Sequence, residues 1–320
     1  MNRKDARSRM ATLGRIMTAI GLLGAVLVVA LRVWLTPAQR DTDTGLFASN
    51  TAVIIIMLFL LGSLAAIVFV ASGGIRQEIK GKSSLILAVA LLAVGTAIAL
   101  TGTVDIWNAL WERNAPVDGS RLPQILGWLQ HIAGVLGGVA FVRFGLMLAS
   151  ESSTRRGMVQ WSLLAPVVWM WLTLANYVMS YNSMVRPEDG FFTLMTYVME
   201  LLFLFYFARY IAGVGNMGAI TMMLFACGAA LFAISSPAVK LIMYMLVQDG
   251  AAYSAAGTTG VLDLAVGLLA LTVSITLCQS LSAPLPEPKS DEEEPEAVEW
   301  SIGKATEEDL IGGFDEEEEA

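Results

Sequence analysis

One histidine and two cysteines in 320 residues leave no material for a disulfide scaffold or a Cys/His zinc cluster. No site on this chain has more than one imidazole. Charge is scarce as well: Asp, Glu, Lys and Arg make up 15% of the residues, against about 25% in soluble domains. With 56% hydrophobic residues and a mean hydropathy of +0.64, an ordinary soluble domain is excluded. The motifs H-E-x-x-H, G-x-S-x-G and G-x-x-x-x-G-K-[ST] are absent, and with them the chemistry each supports. The run from Asp41 to Gly45 places its glycine one position early for a calcium loop, and Ala52 stands where a bidentate glutamate belongs. No stretch interleaves dense Lys/Arg with aromatics as a nucleic-acid surface does. The expectation is a non-enzymatic chain with no catalytic, cofactor or metal set.

What the sequence has is long apolar runs. Eight are long enough for the roughly 20 helical residues a bilayer core requires: 13–35, 51–72, 83–104, 125–148, 160–181, 191–213, 218–236 and 260–281. Lipid offers no partner for backbone N–H and C=O groups, so these runs read as helices. Alternating segments of about 10 residues, the mark of a transmembrane barrel, are absent. The fold class expected is an all-α polytopic membrane protein. The first run follows a basic flank but exceeds a signal peptide's 7–15 apolar residues or so, and no A-x-A site follows Trp34. It reads as a retained anchor.

The formal charge of −8 is the sum of two unlike parts. From Pro284 to Ala320 there are fifteen acids and two lysines, −13, while the remainder carries +5. The expected domains are a basic N-terminus (1–12), a transmembrane body (13–281) and an acidic, disordered tail (282–320). Of the eighteen basic residues outside the tail, twelve fall on the N-terminal side of the bilayer and six on the other. The positive-inside rule therefore puts both termini in the cytoplasm.

The tail's charge is interrupted at Trp300 and at Leu310, Ile311 and Phe314. Those apolar residues suggest docking to a basic cytoplasmic protein; a merely solubilising extension explains them too. A repeat is also suggested. Arg40 to Phe47 and Arg186 to Phe192 each read as a basic residue, two acids, a glycine and an aromatic ahead of a helix. Parallel four-helix copies, 13–148 and 160–281, would follow, although Asp and Gly at helix ends are ordinary turn chemistry.

The basic start and the sequence from Thr42 to Phe47 resemble uncharacterised multi-pass membrane proteins of anaerobic Gram-positive bacteria. The resemblance implies a bacterial plasma membrane and carries no activity.

Few polar residues interrupt the spans. Glu200 would lie about 14 Å deep, at ~1.5 Å per residue, where a charge costs at least ~2.5–3.5 kcal/mol. It reads either as a coupling or solute-contacting group, or as a hydrogen-bonded packing element. His131, Asn176, Arg32 and Asp263, with Gln130 and Tyr177, share one layer nearer the outer boundary. They either line a polar pocket, or Arg32 and Asp263 snorkel to water while a neighbour satisfies His131. Gly134 and Gly138 read as a helix-packing pair, and Cys227 and Cys278 as small packing residues too far apart in depth to bridge. Two functions are expected: first a scaffold or sensor reporting through the tail, then a small-solute transporter with a path around Glu200. An intramembrane enzyme, with only His131 and Glu200 for acid–base work, comes third.

Overall fold

The backbone follows from the scarcity of water-seeking side chains: apolar runs satisfy their own hydrogen bonds as helices. A computed structural model of the chain describes residues 3–38, 51–70, 82–111, 122–150, 161–180, 187–213, 218–247 and 257–282. The chain divides into two units, Met1–Ala283 and Pro284–Ala320. Trp300, Leu310, Ile311 and Phe314 lie outside the described residues, as do Arg40 to Phe47.

Eight helices make up the described part of the first unit: α1 (Arg3–Ala38), α2 (Thr51–Val70), α3 (Lys82–Trp111), α4 (Leu122–Ala149), α5 (Leu164–Ser180), α6 (Pro187–Ala212), α7 (Ala219–Val247) and α8 (Gly257–Ser282). Five contain stretches long and apolar enough to cross a membrane: Ser8–Trp34, Leu85–Trp111, Gln124–Ala149, Phe191–Ala212 and Gly260–Ser282. Val53–Phe69, Leu164–Met179 and Ala219–Ser235 are shorter apolar helices. The apolar residues divide between a protein interior and an outer face that bears Phe59, Phe69, Val89, Leu136 and Trp161. A helical protein surface of this kind suits lipid.

Several boundaries differ from the sequence reading. Asp105 to Trp111 prolong α3, where Trp107 and Trp111 stack at 6.2 Å. Pro187 to Gly190 form the first turn of α6 instead of a loop. Proline suits that place, since its missing N–H falls among the donors a helix start leaves free. Gly213 closes the helix at φ 75°, a conformation only glycine adopts cheaply. Helix α7 continues through Pro237 to Val247, beyond the apolar run 218–236. Prolines within membrane helices are tolerated where local packing satisfies the freed backbone.

Helix α7 is the hub, packed on α1, α2, α6 and α8. Its middle is built from Ala226, Cys227, Gly228, Ala229, Ala230 and Ala233, small enough for four neighbours to approach. Helices α3, α4, α5, α6 and α8 form a ring in which each packs on the next, and α8 closes it against α3. The two halves of the chain have different neighbours: α1 lies along α7, whereas α5 lies between α4 and α6.

The α3–α4 seam is the closest in the ring. It pairs the antiparallel helices through Ala88 with Gly145, Gly95 with Gly138, and Gly102 with His131. A Cβ added at Gly138 would stand 2.5 Å from the Gly95 carbonyl oxygen, and one at Gly102 would stand 3.0 Å from that of His131. Gly134, one turn from Gly138, instead accommodates the Trp169 indole of α5, 3.1 Å from where its Cβ would be. The small-residue pair on α4 therefore serves two partners, one on each side.

Candidate functional site

The ring of five helices encloses a polar pocket toward one end. Helix α3 contributes Ile98, Thr101, Gly102 and Asp105, a set spaced to share one helical face. Across the glycine seam α4 contributes Gln130 and His131; Thr173 of α5, Tyr197 of α6 and Asp263 of α8 complete the polar lining. The close approach at Gly102 sets His131 beside Asp105, with Nδ1 3.5 Å from Oδ2. At 25% and 35% exposure both side chains are reached by water, so this ion pair is worth little on its own.

The lining favours hydrogen-bond acceptance. The Thr101 hydroxyl donates to the Ala97 carbonyl at 2.9 Å, and the Thr173 hydroxyl donates to that of Trp169 at 2.9 Å. Their protons are thus committed to their own helices, leaving oxygen lone pairs for other donors. The acidic side chains of Asp105 and Asp263 add further oxygens, with His131 beside Asp105. The cavity holds about 40 Å³, room for two or three waters or one small cation. A sugar or amino acid does not fit. Among the described residues no three His, Cys, Asp or Glu groups converge, as a transition-metal site requires.

The residues singled out from sequence are brought together in part. His131 and Asp263 line the pocket. Asn176 joins from behind, its Nδ2 donating to Gln130 Oε1 at 2.9 Å. Tyr177 meets Tyr197 edge-on, with ring centroids 5.2 Å apart. Arg32 lies apart from this lining, 4% exposed, its guanidinium carbon 4.2 Å above the Phe192 ring centroid. It does not snorkel: the aromatic face and the protein around it replace water.

Glu200 also lies off the pocket wall, one helical turn beyond Tyr197. It is 0% exposed, and neither carboxyl oxygen has a hydrogen-bond partner among the described residues. Thr196, on the preceding turn, is bonded to the Phe192 carbonyl at 2.9 Å and to the Phe232 carbonyl of α7 at 3.4 Å, which ties this stretch of α6 in place.

The sequence reading omitted Thr101, Asp105, Thr173 and Tyr197 from the pocket. The signal was present as polar residues at helical spacing on apolar helices: Thr101 with Asp105, and Thr173 with Asn176 and Tyr177. The other polar contacts between helices hold the bundle together. Thr18 and Ser274 lie 2.9 Å apart, and the buried Cys227 thiol lies 3.2 Å from the Ser274 hydroxyl, joining α1, α7 and α8. Cys227 and Cys278 are both free thiols.

No protein family, curated protein or solved structure matches this chain.

Proposed function

We propose that this chain is a small-solute transporter of a bacterial plasma membrane, with a small monovalent cation as its solute. In this reading all eight helices cross the bilayer, both termini are cytoplasmic and the pocket opens outward. The observation that carries it is the pocket itself: an acceptor-rich cavity of cation size, lined by two acidic residues, toward one end of a helix ring. A scaffold has no use for polar groups gathered in that way, since dry small-residue packing holds membrane helices together without them. The tail remains a proposed docking segment for a basic cytoplasmic protein and has no part in the pocket. The proposed kinship to multi-pass proteins of anaerobic Gram-positive bacteria likewise rests on the basic start, residues 42–47 and the general helix pattern. The helix neighbours of the two halves differ, so a four-helix repeat is not needed for the transport reading.

The test is thermal unfolding of the purified full chain in lithium, sodium, potassium or ammonium chloride, against choline chloride at equal ionic strength. One small cation is expected to raise the melting temperature saturably, since binding at 100 times Kd contributes about 2.7 kcal/mol. Asp263→Asn should abolish that rise while leaving the choline melting point within a few degrees. The radiolabelled ion should then accumulate in liposomes bearing the protein. If none of the four cations produces a saturable rise, the transport reading falls and the scaffold with a docking tail takes its place.

A further inference from the structure

We infer that Glu200 is a proton-exchange site, loaded and emptied by water from the pocket past Tyr197. The inference takes its route from the pocket of the transport reading but does not require that a metal cation be carried. Three observations support it. Glu200 is fully enclosed by protein with both carboxyl oxygens lacking a hydrogen-bond partner among the described residues, so nothing there rewards a fixed negative charge. The buried Arg32 is seated on Phe192. That ring is eight residues back along α6, or about 12 Å at ~1.5 Å per residue. Finally, Tyr197 precedes Glu200 by three residues on the same helical face and forms part of the pocket wall, so the carboxyl lies one side chain from water.

Among the described residues, the basic side chains on helices that touch α6 are exposed or engaged elsewhere. Helix α5 brings Tyr177, the described part of α7 brings Cys227, and α8 brings Asp263 and Cys278. Helix α4, which meets α6 at Phe144 and Phe207, carries the exposed Arg143, and also His131 beside Asp105. On α1, Arg32 lies over Phe192 and Arg15 donates to Ser282. Along α6 itself Arg209 is nine residues beyond Glu200 and exposed. Asp263, the acid that α8 brings to this region, stands on the pocket wall. The exchange balances simply: a pocket hydronium gives its proton to the Glu200 carboxylate, leaving water and the neutral acid, and the reverse step returns it. Tyr197, packed edge-on against Tyr177, forms the floor that water must pass.

Infrared spectroscopy of the full chain in lipid tests this directly. Every other glutamate of the sequence lies outside the predicted spans and is ionised in water at neutral pH. A neutral carboxyl band that shifts on selective carbon-13 labelling of glutamate therefore reports Glu200, even if Glu200→Gln fails to fold; if that variant folds, the band should vanish. The band is expected at pH 7, and it should shift in heavy water within the experiment. Thr101→Leu, which fills the pocket with an apolar side chain, should slow that shift at least tenfold while leaving the band in place. Absence of a neutral glutamate band overturns the inference, because Glu200 would then be ionised. A band that never exchanges, or that exchanges as fast with the pocket filled, overturns it as well. A chain that exchanges this proton but binds none of the four cations keeps the inference and loses the transport reading. A cation-stabilised chain without the band loses this inference alone.

Discussion

Gly138→Ala is expected to cost about 1–3 kcal/mol of stability, the usual range for overpacking, and Gly138→Leu to prevent α3 and α4 from docking. A methyl group at Gly138 would lie 2.5 Å from the Gly95 carbonyl oxygen and 2.6 Å from the Ala99 amide nitrogen. Both are backbone atoms, so no side chain can rotate away and the two helices must separate. The effect should reach the site, because the same seam carries Gly102 against His131 and so fixes the His131–Asp105 pair. Gly62→Ala is the control: nothing lies within 4 Å of the added Cβ, and alanine's better helix propensity should leave stability unchanged or raise it by up to about 1 kcal/mol. Denaturant titration of the purified protein, followed by tryptophan fluorescence, measures both. Equal melting of the two variants would mean that the α3–α4 seam does not govern the fold.

That seam shows what could be read from the chain before its structure. The helices were legible because nothing except a helix lets apolar runs of this length satisfy their backbone in lipid. Gly134 and Gly138 were legible as packing residues, yet their partners were not, since a small residue announces a close approach without saying to what. Helix ends were harder where polar residues sit inside a helix: Asp105 and Pro187 look like loop chemistry, and Pro237 like a terminus. Tertiary packing overrides those local signals. At the site, Glu200, His131, Asn176 and Asp263 drew notice as polar residues in apolar surroundings. Thr101 and Thr173 did not, because a hydroxyl that bonds its own helix costs little in a membrane and resembles any other small residue. Arg32 failed in the opposite sense. Its long stem suggested a route to water, and only the placement of Phe192 shows that it ends against an aromatic ring.

Glu200→Met is expected to stabilise the fold while ending proton exchange. A buried acid whose two oxygens make no hydrogen bond forgoes water without compensation, at a cost of roughly 1–3 kcal/mol on the protein mutational scale. Methionine has nearly the same length and reach, adapts to irregular space and removes that cost. Resistance to denaturant should therefore rise by about 1–3 kcal/mol, within the range seen when buried polar groups give way to apolar ones. Glu200→Ala controls for the cavity: it removes the same carboxyl but leaves a void, and should be less stable than Glu200→Met by about 2–4 kcal/mol. Denaturant midpoints of the three proteins, taken in the same detergent, rank them. If Glu200→Met proves less stable than the native chain by more than 1 kcal/mol on the order of its own error, the carboxyl is a structural contact. The expected ranking leads to the opposite conclusion: an unbonded acid kept in the interior at the expense of stability is retained for what it does with a proton. The glycine seam and Glu200 then contribute in opposite senses. The first holds the ring closely enough to form a pocket, and the second weakens the same ring one helical turn from the pocket wall.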